Sequence, residues 1–179
     1  MKKTFGILWL AGIILFLSVL KQNSIWKDDF LEPELKELQG YIEYRDNLNP
    51  LVSKVPVAWH LDHSLKVINN ICDTLNTSNP ETYKHTFSGG RLFCFTLGYI
   101  PRGAGQSPKS VHPPATIHTE DLHSQLRTAR MKLRSIAVLD ERANFKHPYF
   151  NILNKGQSKR FIKIHTEHHL KIIKDILGE

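Results

Sequence analysis

The sequence predicts an all-α domain of four long helices, preceded by an apolar segment at the amino terminus. Two observations lead there. In four separate stretches apolar residues recur every three to four positions, the spacing of one helical face, and no stretch alternates with the period of two that a half-buried strand needs. Clusters of Pro, Gly and Asn, which break helices, separate the stretches.

The apolar segment comes first. Thr4 to Leu20 reads TFGILWLAGIILFLSVL, with Lys2 and Lys3 before it and Lys21 after it. This is the charged start and hydrophobic run of an export signal. Its length is close to the lower limit of the ~17–25 residues that cross a bilayer. No A-x-A-like cleavage site and no Cys follow, so residues 1–22 are expected to remain as a transmembrane signal anchor, with a cleaved signal peptide as the alternative. Lys2 and Lys3 favour a cytoplasmic amino terminus, though Lys21 and Lys27 weaken the asymmetry. The domain is therefore expected on the periplasmic side of the cytoplasmic membrane, or secreted there after cleavage.

Residues 23–32 read as a polar linker and 33–179 as the domain. Pro33 suits the first turn of a helix. Leu35, Leu38 and Ile42 carry that first helix to about residue 47, where Asn47, Asn49 and Pro50 end it. The second helix spans about Ser53 to Leu75, with Val57, Ser64, Val67, Ile68, Ile71 and Leu75 on one face. Asn76 to Pro80 break it, and Pro80 opens a short helix through Tyr83. Residues 98–118, rich in Gly and Pro, form a long crossover loop between the second and third helices. Thr119 is placed to cap the third helix, Glu120 and Asp121 suit its dipole, and Leu122, Leu126, Ala129, Leu133 and Ile136 form its buried stripe. A loop with His147, Pro148, Tyr149 and Phe150 leads to the fourth helix, which starts near Asn154 or Ser158 and runs to about Leu177.

Composition narrows the function. With 179 residues, 41% apolar and 23% charged, the chain can bury the core of one domain. Cys72 and Cys94 are too few for a disulfide scaffold, although a single bridge stays open. The formal charge is +7. Arg127, Arg130, Lys132 and Arg134 could meet nucleic acid or an anionic membrane surface, but no aromatic residues interleave with them as nucleic-acid modules require, so they read as the solvated face of a helix next to a lipid bilayer. No phosphate-binding loop, dinucleotide fingerprint or nucleophile elbow is present.

The unusual number is that of the histidines, 10 in all. On a wheel of about 100° per residue, His165 and His169 of the fourth helix fall among Phe161, Ile172 and Ile176 and point into the core. On the second helix, His60 lies beside the apolar centre, and His63 lies further round, near the boundary. Three inward imidazoles need partners, and a divalent ion would satisfy His60, His165 and His169 together. Three His ligands leave a coordination position open, as in catalytic sites. The competing reading is a set of hydrogen-bonded core histidines, because HxxxH alone is a weak motif.

The pairing of WHLDHSL (Trp59 to Leu65) with IHTEHHLKII (Ile164 to Ile173), preceded by HPYFNILN (His147 to Asn154), resembles the DinB/YfiT-like superfamily of metal-dependent enzymes. It is closest to a subfamily whose domain has no assigned activity. IPRG (Ile100 to Gly103) followed by SPK (Ser107 to Lys109) is similar to its Bacteroidetes-type members. The resemblance covers about residues 33–178. It implies a four-helix bundle whose metal is held by one His from the second helix and an HxxxH pair from the fourth, here His60, His165 and His169, with zinc or nickel as the ion. The chain departs from the family pattern twice. Many members carry an acidic residue where His63 stands and Gln where Ile172 stands, which puts the surroundings of the metal and the substrate in doubt. Characterised relatives are cytosolic thiol-dependent transferases and isomerases, and an exported domain would not meet the same thiol pools.

Two functions follow as expectations. One is a metal-dependent enzyme, a hydrolase or thiol transferase, with His63 or Asp62 as an outlying base and Arg102 and Lys109 of the crossover loop holding an anionic substrate. Those two cations read equally well as solvated loop charges. The other is a non-catalytic, membrane-anchored envelope protein with a relic or structural metal site. The expected partners are the membrane, through the N-terminal helix, an unidentified small-molecule substrate and a second copy of the chain as a homodimer. Nucleic acid is not among them.

Overall fold

Signals at the ends mark some helices and not others. The structure, a computed structural model, describes residues 30–103 and 105–179. The expected signal anchor, residues 1–22, and the linker up to residue 29 lie outside the described residues. Among those described, no helix is long and apolar enough to cross a membrane.

Helix α1 (Glu32–Gly40) has a Pro in its first turn with Glu32 and Glu34, which complement the positive end of the helix. It ends earlier than the sequence suggests and tightens into a 3-10 turn, Tyr41–Tyr44. Helix α2 (Val57–Thr77) starts after Pro56, four residues beyond Ser53. Helix α3 (Gly89–Leu97) occupies a stretch where no element is expected. Ser88 caps it by accepting from the Arg91 amide, and Gly98 closes it at φ 63, a conformation that favours glycine. Helix α4 (Thr119–Ser135) matches its predicted span, but Thr119 does not cap it: the cap position is His118, with no side-chain bond. Helix α5 (Lys155–Leu177) opens on a capping box. Asn154 accepts from the Gln157 amide at 2.8 Å, and the Gln157 side chain accepts from the Asn154 amide at 3.2 Å.

The all-α expectation needs correcting. Strands β1 (Asn144–His147) and β2 (Asn151–Asn154) pair antiparallel, with Phe145 opposite Leu153 and His147 opposite Asn151. His147 makes the turn: its Nδ1 accepts from the amides of Tyr149 and Phe150, both at 3.1 Å. Asn151 completes it at φ 60, a left-handed conformation that Asn tolerates better than most residues. The described chain is thus mostly helical, with five α-helices and one small two-stranded sheet.

From Leu31 onward the chain is one compact unit. Helix α2 lies at its centre, packed on α4 and α5, while α1 packs on α4 and α5 from outside. Leu35, Leu38, Leu61, Leu65, Ile68, Leu122, Leu126, Ile162 and Ile173 are almost fully buried between them. Cys72 and Cys94 are buried and free, and burial pushes the Cys72 thiol up to about 12. Acids break up the basic cluster of α4: Arg130 binds Glu32 at 3.0 Å and Lys132 pairs with Asp73 at 2.6 Å.

Candidate metal centre

Helix periodicity brings the site together. His60 and His63 project from the first two turns of α2, and His165 and His169 from successive turns of α5, which packs against it. All four are buried, between 4% and 9% exposed. One ligand atom each from His63, His165 and His169 lie within 4.8 Å of one another, a grouping that could hold a metal ion. The ring centroids of His63 and His169 are 4.9 Å apart, those of His63 and His165 5.1 Å, and those of His165 and His169 4.6 Å.

The sequence places His60 in the triad and His63 outside it. In the structure His63 stands inside the group, and His60 packs on its flank with Nδ1 3.0 Å from Nδ1 of His169. Ala58 and every residue from His60 to Leu65 are buried. The part-exposed Trp59 and Lys66 lie on the His63 side of α2, so the wheel puts His63 near solvent although it is buried.

The surroundings favour neutral imidazoles, the protonation state that binds metal. Burial pushes His60 down to about 4 and His165 and His169 well below the usual histidine range, and nearby histidines add to each effect. Burial also lowers His63, against the carbonyl oxygen of Val111, which accepts from its Nδ1 at 2.9 Å. That bond leaves Nε2 of His63 with a free lone pair. Nδ1 of His165 is buried and has no hydrogen-bond partner. An orphaned nitrogen of this kind costs roughly 1–3 kcal/mol unless an acceptor-seeking group, such as a cation, meets it.

A second line of bonds reaches His169. Ser53 Oγ lies 3.0 Å from Nε2 of His60 and 3.1 Å from the Val55 carbonyl oxygen. If the hydroxyl donates to that carbonyl, Nε2–H of His60 donates to Ser53. His60 Nδ1 then accepts from Nδ1–H of His169, and Nε2 of His169 keeps its lone pair. The donor set of His63, His165 and His169 therefore fits a divalent ion.

Trp59 stacks on His63 with centroids 4.9 Å apart and walls one side of the group. Phe161 lies 5.4 Å from His165 on another. Asp62 is turned elsewhere: it accepts from Gln125 at 2.7 Å and pairs with Lys66 at 2.6 Å. Arg102 is paired with Asp175, and Lys109 is exposed. A surface cleft of about 720 Å³ lined by Lys36, Glu43, Arg45 and Thr119 shares no residue with the histidine group.

The sequence reading did not find the roles of Trp59 and Val111. Trp59 and His63 are four apart on one helix, a spacing that could have suggested their stacking. Nothing local marks Val111, which the crossover loop delivers in a 3-10 turn, Lys109–Val111. No protein-family model, curated protein or solved structure matches the chain.

Proposed function

We propose that this chain is a metal-dependent enzyme of the DinB-like type, a hydrolase or thiol transferase acting on a small molecule from a four-helix bundle. Its ligands are His63, His165 and His169, and His60 orients His169 from outside. The observation that carries this reading is the buried group of three imidazoles, one of which has an orphaned Nδ1. An ion held by three imidazoles supplies Lewis acidity, which activates a water or thiol nucleophile near neutral pH. Imidazole ligands suit zinc or nickel. Val111 fixes the tautomer of His63, and Trp59 and Phe161 pack against His63 and His165. The apolar run Thr4–Leu20 supports an anchor in the cytoplasmic membrane with the domain on the periplasmic side.

One observation favours a second reading, a non-catalytic envelope protein with a structural metal site: Asp62 is occupied by Gln125 and Lys66 and is not free to act as a base. Cobalt substitution separates the two. In the enzyme reading, the visible spectrum of the cobalt-loaded full chain shifts when a small thiol or anion is added, because a coordination position exchanges. A spectrum that responds to neither contradicts the enzyme reading.

A further inference from the structure

Helix α3 carries an apolar face that nothing in the described chain covers. Leu92, Phe93 and Leu97 fall within an arc of about 140°. Leu92 is 60% exposed and Leu97 59%, and Phe87, just before the helix, is 74% exposed. The opposite face is firmly held, with Arg91 and Cys94 buried. The Arg91 guanidinium donates to the carbonyl oxygens of Thr86, Phe150 and Ile152. The exposed face is thus presented by a fixed helix. Large apolar side chains grouped on one face mark an interaction surface, whereas single exposed ones do not.

Two further observations identify what meets it. The first is charge. No Asp or Glu occurs from Thr82 through Thr119, whereas Lys84, Arg91, Arg102 and Lys109 do. Lys84 and Lys109 are exposed. Arg91 serves the opposite face and Arg102 is held by Asp175, which leaves two exposed lysines and no acid in the segment that carries the apolar face, a charge balance that suits an anionic lipid surface.

The second is where the chain enters the domain. Arg160 of α5 donates to the Phe95 carbonyl oxygen of α3, and Lys163, three residues on, pairs with Glu34 of α1. These two side chains leave α5 less than one turn apart and about 60° apart around it. Helix α3 and the entry of the chain at Leu31 therefore flank the same stretch of α5. The ten residues from 21 to 30 can span at most about 33–36 Å, so a membrane-inserted Thr4–Leu20 would keep Leu31 within that distance of the bilayer.

We propose that the face formed by Phe87, Leu92, Phe93 and Leu97 beds into the headgroup region of an anionic bilayer, as a second membrane contact that fixes the orientation of the domain. The inference rests on the anchor reading above and is independent of the metal. One apolar contact of this size binds a membrane weakly by itself, and a tether makes the pair effective.

The test uses the full chain with a polarity-sensitive fluorophore on Leu92→Cys, and on Leu51→Cys as a control. Leu51 is 97% exposed and lies in the segment between α1 and α2. The native thiols are buried and shifted up, so they do not compete for label. The chain is mixed with phosphatidylethanolamine–phosphatidylglycerol vesicles and floated. The expected result is flotation, with blue-shifted emission at position 92 that brominated lipid quenches, and water-like emission at position 51. Flotation with a water-like label at 92 would overturn the lipid contact while leaving the anchor intact, and would assign the face to a protein partner. Equal quenching at both positions would also overturn it. Failure to float would overturn the anchor and this contact together.

Discussion

His60 and His63 are three residues apart, and helix phase alone does not assign their roles. Ser64, Ile71 and Leu75 defined an apolar centre that favoured His60. His63 is nevertheless buried, between the part-exposed Trp59 and Lys66, with its Nδ1 tied to the Val111 carbonyl oxygen. His165 and His169 were legible because Glu167, exposed between them, marks the solvent side of α5. Substitution separates the two α2 histidines. His63→Ala should abolish zinc binding. His60→Ala should weaken it about 10–100-fold, by releasing His169 from its hydrogen bond. Competition titration with a chromophoric chelator reads both affinities. Loss of binding in His60→Ala with retention in His63→Ala would exchange the two roles.

At the scale of elements, the long helices could be read because their apolar stripes run for several turns. The strands could not. Each is four residues long, and Asn, Lys and His give them little intrinsic strand preference. What holds them is a side chain reaching back to backbone, His147 to the amides of Tyr149 and Phe150, which leaves no periodic trace. Helix α3 is hard to read for a related reason: it begins with two glycines, which are weak helix formers, and Ser88, three residues before Arg91, is its cap. The Asn154–Gln157 capping box, by contrast, is visible in the sequence and decides between the two candidate starts of α5. Asn154→Ala should destabilise the chain by about 1 kcal/mol through the loss of that cap. Urea denaturation followed by circular dichroism measures it, and an unchanged midpoint would mean that β2 alone sets the start of α5.

At the scale of the whole molecule, several histidines are buried neutral, and this sets the response to acid. His60 and His147 titrate at about 4 when folded against 6.5 for an exposed histidine, chiefly through burial. A group whose folded pKa is depressed contributes fully above the unfolded value. As pH falls below 6.5 the unfolded chain takes up protons that the folded chain cannot, so stability is lost progressively down to about 4. Denaturation midpoints of the metal-free chain should therefore drop between pH ~7 and pH ~5. A flat profile across that interval would mean that the histidines are hydrated in solution. The leucine and isoleucine core does not depend on the site, so chelation should lower the melting temperature without unfolding the chain.

The ligand set itself is open to one titration. Zinc is added to the full chain, and to His165→Ala and His169→Ala variants, with binding followed by isothermal calorimetry. One ion should bind per wild-type chain, and stoichiometric binding should be lost in both variants, because each removes a donor of the buried group. Binding should also weaken at acid pH, below the ordinary imidazole range, because burial keeps these nitrogens unprotonated until protons compete for them there. No saturable zinc binding by the wild-type chain, or undiminished binding by either variant, would show that these histidines are a hydrogen-bonded core and not a metal centre.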